Sequence, residues 1–598
     1  MEKIRNRSEI PVADTWATED MYASDAAWEQ ELATLAEDKG ILAGYAGRLS
    51  ESGQVLYDYL YKMEMTDAKA SLLGNYCMRK ADEDTRNATY QAMTGKFMST
   101  VVELSAALSF ETPEIMEISD ETLEDFYAAC PELERYRRYL TNLRRKRAHI
   151  LSAAEEKLLA AAGELSQAPD TIYGMFADAD IKFADALDGN GNPHTVSQTT
   201  FVPIQNSTDR VLRKNAYESL YKGFGDFKNT AAALLNAQNK QLKFFADARR
   251  YDSAFEAALN NTNVPTSVYL NLIETVHKHM DKMHRYVRLR KKLLGVDELH
   301  FYDVYTPLVE DVEKKIPFAE AKQTVYEALA PLGEEYRRIL KEGFENRWID
   351  VYQNEGKRSG AYSAGAAVHP YVLLNYSGTL DSQFTLAHEM GHALHSYLSN
   401  KHQNPIDADY VIFVAEVAST CNEALLMEYL LNKTTDKKER IYLINHFLEQ
   451  FKGTLYRQTM FAEFELNIGK MVAEGQTLTA DVLCAEYRRL NEAYFGPDMV
   501  VDDQIAVEWA RIPHFYYNYY VFQYATGYSA AIALSQKILS EGESAVKDYL
   551  DFLSGGCSKS PIDLLKGAGV DMTGPEPVEA ALELFGRLLD EMDELVGA

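Results

Sequence analysis

The chain has 598 residues, more than one hydrophobic core usually supports, so we expect two or three subdomains. Its 90 acidic and 61 basic side chains give a formal charge of −29, which repels phosphate backbones and anionic lipids and argues against nucleic-acid and membrane partners. Five cysteines without a CxxC pair, and a polar start at 1–5 without an apolar segment, predict a cytoplasmic protein with reduced thiols.

Helices dominate the predicted secondary structure. Apolar residues recur at helical spacing over the segments 27–48, 53–70, 84–108, 120–140 and 153–166. Residues 181–204 depart from this pattern, because a turn-rich centre at 188–193 lies between alternating flanks, and we predict a β-hairpin there. Residues 349–378 hold four glycines and a short apolar run at 371–376, which predicts a strand directly before a helix. The fold class is therefore mainly α with a small β element.

Two weak breaks in the helical pattern suggest a domain organisation. One lies at Thr112-Pro113 and the other near 200–206. They divide the chain into an N-terminal helical region, 1–112, a second helical domain, 113–200, a large region that carries the motif below, 201–585, and a C-terminal tail, 586–598.

The most informative motif is the run HEMGH at 388–392. Its helix is predicted to begin at Thr379 or Asp381 and to continue to about Leu398. His388 and His392 lie four residues apart, on one face of that helix, where two imidazoles can bind one zinc ion. Glu389 follows the first histidine, in the position of the general base of H-E-x-x-H metallopeptidases. A small residue at Gly391 leaves room for another element to pack closely behind this helix.

A third metal ligand is needed, and the sequence offers a clear candidate. The H-E-x-x-H-x-x-G-x-x-H class is excluded, because positions 395 and 398 are His and Leu. Glu416 is the only charge in the apolar stretch 410–418, and a lone buried carboxylate is costly unless it is paired or bound to a metal. We therefore predict Glu416 as the third ligand, in a gluzincin-type core.

Three neighbouring residues have a supporting or structural interpretation. Glu423 lies two turns beyond Glu416 on the same face and is predicted to orient a ligand histidine, or else to be an ordinary hydrogen-bonded carboxylate. His395 is predicted to be a core residue or a neighbour of the ligands, because a catalytic zinc keeps its fourth position for water. Cys421 is predicted to be a small buried residue.

These segments, Phe384–His395 and Phe413–Val417, resemble the thimet-oligopeptidase superfamily of zinc metallopeptidases, and within it the oligoendopeptidase F family. Supporting blocks are 300–305, 356–363, 369–376 and 514–520. The resemblance covers about 200–585 and extends more loosely to the N-terminal region. It implies an elongated helical body with a deep central channel, one zinc ion per chain, and endopeptidase activity restricted to short, unfolded peptides.

The resemblance also implies that a histidine and one or more tyrosines from a C-terminal segment face the metal. His514 carries over, but the glycine-rich loop of the thimet branch is replaced here by aromatic residues and an asparagine. By spacing from His514, Tyr519 fits the first tyrosine, and by the local Gln-Tyr pair, Tyr524 fits the second. Tyr517 and Tyr520 remain open, and we expect them to contact substrate.

These assignments predict a mechanism. Glu389 accepts a proton from the attacking water and passes it to the leaving amine, while His514 and a tyrosine stabilise the oxyanion. The strand at Tyr371, Val372 and Leu373 is expected to pair with the extended substrate.

Two alternatives remain open. A zinc carboxypeptidase of the same fold would need Arg358 or Arg511 to capture a terminal carboxylate, and a peptide-binding protein would need no general base. Two histidines and a glutamate suit zinc, although cobalt and manganese are also compatible with the sequence. No obligate protein partner is predicted.

Overall fold

Helices account for most residues of the computed structural model, which describes residues 4–309 and 315–597. Helices α1 to α26 are, in chain order, Asp25–Ala43, Gly53–Glu83, Ala88–Ala107, Glu111–Glu117, Asp120–Ala129, Arg137–Arg144, Ala153–Ser166, Ala168–Gly174, Gln198–Gln205, Arg210–Asp226, Lys228–Ala248, Ala254–Asn260, Thr266–Lys278, Met280–Leu294, Phe318–Ala328, Gly333–Glu345, Leu380–His402, Pro405–Ala408, Ile412–Lys433, Lys437–Gln450, Arg457–Ala473, Ala480–Phe495, Phe522–Glu541, Glu543–Leu553, Pro561–Gly567 and Glu576–Leu595. Strands β1 to β7 are Ala186–Leu187, Pro193–His194, Leu299–His300, Ile349–Asp350, Tyr362–Ala364, Tyr371–Leu373 and Met499–Val500. The predicted mainly helical class with a small β element is confirmed.

The predicted helical segments are present, with shifted ends. Side chains cap several of them, and Ser24 and Ser52 each accept a hydrogen bond from a backbone N–H of the first turn. The segment predicted at 120–140 is two helices, α5 and α6, because Pro131 cannot donate a backbone hydrogen bond and a short 3₁₀ segment intervenes. Residues 1–3 of the predicted polar start lie outside the described residues.

The predicted hairpin is also present, but it is shorter than 181–204. Strands β1 and β2 pair antiparallel, and the Asp188 carboxylate accepts hydrogen bonds from the backbone N–H groups of Asn190 and Asn192 in the turn. The second flank ends early because Ser197 caps α9 and accepts from the N–H of Thr200. A capping signal therefore overrides the alternating pattern there.

Two compact units divide the chain, and neither is a continuous segment. The first unit comprises Met1–Ala148, Lys314–Glu428 and Leu534–Gly569. The second unit comprises His149–Glu313, Tyr429–Ala533 and Val570–Ala598.

The first unit has a core that joins the N-terminal helices to a small sheet. Trp16, Trp28 and Tyr59 are fully buried there together with Tyr371 of β6. The sheet has the order β4-β6-β5, with β4 parallel and β5 antiparallel to the central strand β6. Helix α17 begins seven residues after β6, with Thr379 as its cap, as the sequence predicts, and it ends four residues later than expected.

The second unit is built mainly of packed helices, with α11, α21 and α22 adjoining one another. Aromatic rings fill the space between them, and the rings of Phe464 and Tyr487 are 5.2 Å apart. A short parallel pair, β3 and β7, belongs to the same unit. Of the helices in the described residues, none has both the length and the apolar character needed to cross a bilayer.

Candidate metal centre

Helices α17 and α19 bring three potential ligands together, and all three ligands lie in the first unit. His388 and His392 stand one turn apart on α17, with ring centroids 4.8 Å apart. Glu416 lies near the start of α19, and its Oε2 is 3.4 Å from the Nε2 atom of each imidazole. One donor atom from each of the three side chains therefore lies within 4.8 Å of the others, which is the convergence that the sequence predicts.

The close crossing of these helices depends on a glycine. A Cβ placed on Gly391 would lie only 2.6 Å from Cα of Ser419 and 2.7 Å from the carbonyl oxygen of Ala418. The hydroxyl of Ser419 donates to Oε2 of Glu416 at 3.0 Å. The predicted role of Gly391 is confirmed, since the missing side chain lets α19 approach closely enough for Glu416 to reach the histidines.

Glu423 and Asn422, about two turns beyond Glu416 on α19, both form hydrogen bonds with residues of α17. The Glu423 carboxylate accepts a hydrogen bond from Nδ1 of His388, which leaves Nε2 directed at Glu416. Asn422 is fully buried and donates from Nδ2 to the carbonyl oxygen of Ala387 at 3.0 Å, while Oδ1 accepts from the hydroxyl of Tyr336. Sequence reasoning missed Asn422 and Ser419, although both lie within four residues of a predicted site residue.

Glu389 lies on the same helix, between the two histidines, and is almost fully buried. Its Oε2 atom has no hydrogen-bond partner within the described residues. Burial raises the pKa of the Glu389 carboxyl, and the neighbouring His388 and His392 oppose that shift. Burial also acts to raise the pKa of Glu416, but His388 and His392 outweigh it and hold that pKa below its usual range. A buried acceptor of raised basicity next to the ligand group is suited to proton transfer.

His395 and Cys421 are structural, as predicted. The His395 ring stacks on Tyr410 with a centroid distance of 3.7 Å, and burial lowers its pKa to about 3. Burial raises the pKa of the Cys421 thiol to about 12, so the thiol stays protonated and is a poor metal ligand.

The donor set fits a zinc ion. Two imidazole nitrogens and one carboxylate oxygen are the ligands typical of a catalytic zinc site with three protein ligands, and hydrogen bonds from a serine and to a glutamate support them. Glu423 lies outside the trio, and its contact with the trio is the hydrogen bond to His388. The residues present can therefore hold one divalent cation.

The assignment of Tyr371, Val372 and Leu373 to substrate pairing is wrong. These residues form β6, the central strand, which pairs with β4 on one side and β5 on the other. All three side chains are also fully buried. No edge of β6 is left for a peptide, and the half-exposed strand β5 lies at the edge of this sheet instead. The apolar run predicts that these residues form a strand, but it does not predict the position of that strand in the sheet.

In the second unit, the C-terminal candidates separate into two groups. His514 lies in a 3₁₀ segment, half-buried, and burial lowers the pKa of its imidazole. Its ring is 5.4 Å from Tyr517 and 6.3 Å from Tyr524, and the Tyr520 ring is 5.4 Å from that of Tyr524. We call these four residues, His514, Tyr517, Tyr520 and Tyr524, the aromatic cluster.

Tyr519 is not part of the aromatic cluster. Its side chain is 5% exposed, and its ring packs 5.3 Å from that of Phe255 and 6.1 Å from that of Tyr269. A Cβ on Gly469 would lie 2.1 Å from the Tyr519 hydroxyl oxygen, so this hydroxyl is directed into the core of the unit. The placement of Tyr519 counts against its predicted role as an oxyanion donor.

The arginines that a carboxypeptidase would need are both engaged. Arg511 is 89% buried in its side chain and lies 3.3 Å from Oε1 of Glu508. Arg358 is exposed but pairs with Asp82 at 3.4 Å. These contacts do not favour capture of a terminal carboxylate.

The whole chain is similar to known peptidases. The model of Peptidase family M3 matches residues 204–584, and that of Oligopeptidase F matches residues 114–183. Oligopeptidase PepF of Bacillus subtilis (strain 168) is 47% identical over 595 residues, which cover 99% of this chain and 89% of that protein. Oligoendopeptidase F homolog of Lactococcus lactis subsp. lactis is 40% identical over 594 residues, 99% of each chain. The crystal structure of oligoendopeptidase-F from Enterococcus faecium matches with a TM-score of 0.75 at 37% identity, covering 96% of this chain and 99% of that one.

Proposed function

Because this chain belongs to peptidase family M3, with the oligoendopeptidase F proteins, and is a metallo-endopeptidase, we propose that it binds one zinc ion and cuts internal bonds of short, unfolded peptides. One observation supports this most strongly. His388, His392 and Glu416 converge within 4.8 Å, and Glu389 keeps a buried carboxylate oxygen without a partner within the described residues.

We propose that the three converging side chains are the zinc ligands. A zinc ion bound there would supply Lewis acidity, lowering the pKa of a water molecule and polarising the scissile carbonyl. Glu423 orients His388 by accepting its Nδ1 proton, so that Nε2 is the basic atom available to the cation. Ser419 holds Oε2 of Glu416 in the same way.

Glu389 is proposed as the general base and then the general acid. Its free Oε2 can accept a proton from the attacking water, and the raised pKa of the carboxyl suits it to carry that proton. When the carbon–nitrogen bond breaks, the same carboxylic acid donates the proton to the leaving amine. The carboxylate is thereby regenerated.

The aromatic cluster is proposed to donate hydrogen bonds to the oxyanion. His514, Tyr517, Tyr520 and Tyr524 carry donor groups on rings that are at least partly exposed. We favour the three tyrosines of the cluster over Tyr519, because the Tyr519 hydroxyl is packed against Gly469 in the core. Substituting each of these three tyrosines singly by phenylalanine would identify which hydroxyl donates to the oxyanion.

We propose strand β5, rather than β6, as the strand that pairs with the peptide backbone. Residues Tyr362–Ala364 are half-exposed and use one edge to bind β6. Backbone pairing gives affinity without strong dependence on side chains, which suits an enzyme for varied short peptides.

The central channel implied by the sequence resemblance stays a prediction, as does the division of the chain at 112, 200 and 585. A cytoplasmic location is proposed because all five cysteines are free thiols.

A metal analysis combined with product analysis tests the proposal. The purified protein is assayed for bound metals and then incubated with a pool of peptides that are acetylated at the N-terminus and amidated at the C-terminus. We expect about one zinc per chain, internal cleavage of the blocked peptides, loss of cleavage with a chelator, and recovery with zinc. Cleavage that requires a free terminal carboxylate would identify a carboxypeptidase instead. Protein that holds no metal and cuts nothing would overturn the proposal.

A further inference from the structure

The chain makes an unusual turn between His514 and Tyr520. Asn518 and Tyr519 follow one another in the left-handed region, with φ angles of 60° and 57°. Asparagine tolerates this conformation, but a tyrosine rarely adopts it, because its Cβ crowds the backbone. Two such residues in succession persist only where surrounding contacts compensate for the strain, and strained backbone is concentrated at functional sites.

Two buried side chains from distant parts of the sequence hold this turn. Glu465 of α21 accepts a hydrogen bond at Oε1 from the backbone N–H of Tyr519 at 3.0 Å. Gln238 of α11 donates from Nε2 to Oδ1 of Asn518 at 2.8 Å and to the carbonyl oxygen of Tyr516 at 3.1 Å. Glu465 is 5% exposed and Gln238 is 3% exposed, so the bonds to the Tyr519 N–H and the Tyr516 carbonyl are shielded from water, while the bond to the exposed Asn518 side chain is partly buried.

The turn determines which tyrosines face outward. Tyr519 is turned into the core, whereas Tyr517 is 49% exposed and Tyr520 is half-buried beside Tyr524. A right-handed or extended backbone at 518–519 would change the directions of Tyr517 and Tyr520 relative to one another. The arrangement of the aromatic cluster therefore depends on the conformation of these two residues.

We propose that Glu465 and Gln238 are positioning residues, which hold Asn518 and Tyr519 in the left-handed conformation and thereby set the donors of the aromatic cluster for catalysis. This inference rests on the proposed role of the cluster in contacting the oxyanion. Neither residue lies near its partner in the sequence, since 54 positions separate Glu465 from Tyr519 and 280 separate Gln238 from Asn518.

The chemistry of Glu465 is consistent with a positioning role. Its second oxygen, Oε2, has no partner within the described residues, and burial raises the pKa of the carboxyl to about 8. A buried carboxyl with one hydrogen bond is costly to the fold, and a nonpolar residue would fill the same space more cheaply. The bond to Tyr519 is the interaction that an apolar replacement would lose.

Paired substitutions test the proposal. E465M removes the acceptor and keeps a similar volume, whereas E465Q keeps a carbonyl oxygen for the Tyr519 N–H. We expect E465M to lower kcat about tenfold, the equivalent of one unmade hydrogen bond, with KM changed less than about twofold and zinc content unchanged. E465Q should restore most of kcat.

A second pair of variants tests the other support. Q238M should lower kcat in the same way, and the double variant with Asn518→Gly should recover part of the loss, because glycine adopts the left-handed conformation without support. Recovery by a glycine is not expected if Gln238 contributes only to general stability.

A matched control distinguishes positioning from stability. Glu463 lies on the same helix and is also buried, but it binds His277 and Tyr494 instead of the turn. E463M should lower the melting temperature while kcat and KM of the folded, zinc-loaded enzyme stay at wild-type values. If E465M behaves like E463M, or if E465Q is no better than E465M, the inference is wrong.

A variant of the cluster itself separates this inference from the proposed function. H514Q should lower kcat by about 10²- to 10³-fold, the usual effect of losing one oxyanion donor. If H514Q is impaired and E465M is not, the positioning role fails while the role of the cluster survives. If H514Q keeps full activity, the role of the cluster is wrong and the inference falls with it.

Discussion

Two regions of the molecule position functional side chains by different means. One is the crossing of α17 and α19 in the first unit, and the other is the turn at 516–520 in the second unit. On α17 and α19, regular helical spacing sets the directions of His388, His392 and Glu423, and one glycine sets the distance between the helices. In the turn, an irregular backbone sets the directions, and buried groups far away in the sequence hold it. Geometry that follows from periodicity can be predicted from a motif, whereas geometry imposed by distant partners cannot.

The sharpest test of the first region removes the proposed general base and leaves the helices and the metal ligands unchanged. E389Q keeps the volume of the side chain but cannot accept the proton of the attacking water. We expect kcat to fall by about 10²- to 10⁴-fold, as for loss of a general base, while zinc content and melting temperature stay close to wild type. Hydrolysis of a quenched fluorogenic peptide measures the loss.

A matched control uses an exposed glutamate on α16. Glu345 pairs with Lys341 at the surface, and E345Q should leave activity unchanged. If E389Q retained near-normal turnover, the proposed role of Glu389 would be wrong, however well the zinc site is formed.

The second test pushes the two helices apart. G391A introduces a Cβ 2.6 Å from the backbone of Ser419, and neither helix can yield without moving Glu416. We expect the free energy of unfolding to fall by about 1–3 kcal/mol, together with weaker zinc binding. Chemical denaturation and competition with a chelator measure the two effects.

A helical glycine with free space gives the control for G391A. A Cβ on Gly95 of α3 meets no atom within 4 Å, so G95A should stabilise the protein by about 0.5–1 kcal/mol through helix propensity. If G391A were as well tolerated as G95A, the close crossing would not be what positions Glu416.

The third test weakens the support of a ligand without touching the ligand. E423Q should lose part of the charge-assisted bond to Nδ1 of His388 and lower zinc affinity by about 10- to 100-fold. At saturating zinc, kcat should return towards the wild-type value, because Glu389 and the three ligands are intact. An affinity equal to wild type would show that Glu423 is an ordinary hydrogen-bonded carboxylate, the alternative that the sequence leaves open.

The sequence predicts the first region well and the second poorly, for a physical reason in each case. A spacing of four residues between two histidines on a helix and an isolated charge in an apolar stretch are sufficient to predict that His388, His392 and Glu416 converge. Strand order does not follow from the apolar run at 371–373, which predicts a strand that pairs with substrate although both edges of β6 are paired within the sheet. Spacing from His514 favours Tyr519, but spacing along an irregular turn does not determine the direction of a side chain, and the left-handed backbone turns that ring inward.

The ends of predicted elements differ from the structure where a local signal competes with a longer pattern. The alternating pattern predicts a hairpin that reaches 204, but α9 begins earlier because the hydroxyl of Ser197 caps it. The segment 120–140 reads as one helix by periodicity, yet Pro131 divides it. Both signals, the cap at Ser197 and the proline at 131, are present in the sequence, but each is a single residue that contradicts a longer pattern.

The last test sharpens the second region through the pH dependence of stability. Burial raises the pKa of Glu465 from its ordinary value of 4.5 to about 8, so the folded protein holds one more proton than the unfolded chain between these values. Stability contributed by this group is therefore complete below pH 4.5 and is lost as the pH rises towards 8. One proton corresponds to a slope of at most about 1.4 kcal/mol per pH unit.

The comparison of wild type with E465Q isolates this slope from every other titrating group. The amide does not titrate, so the stability difference between the two proteins should change steadily between pH 5 and 8 in urea denaturation. Glu463 is the opposite case, because hydrogen bonds from His277 and Tyr494 outweigh burial and lower the pKa of its carboxyl. The stability difference between wild type and E463Q should therefore vanish only at acid pH. A difference between wild type and E465Q that is constant from pH 5 to 8 would mean that Glu465 is ionised in the folded state, and its free oxygen would then need a cationic or water partner.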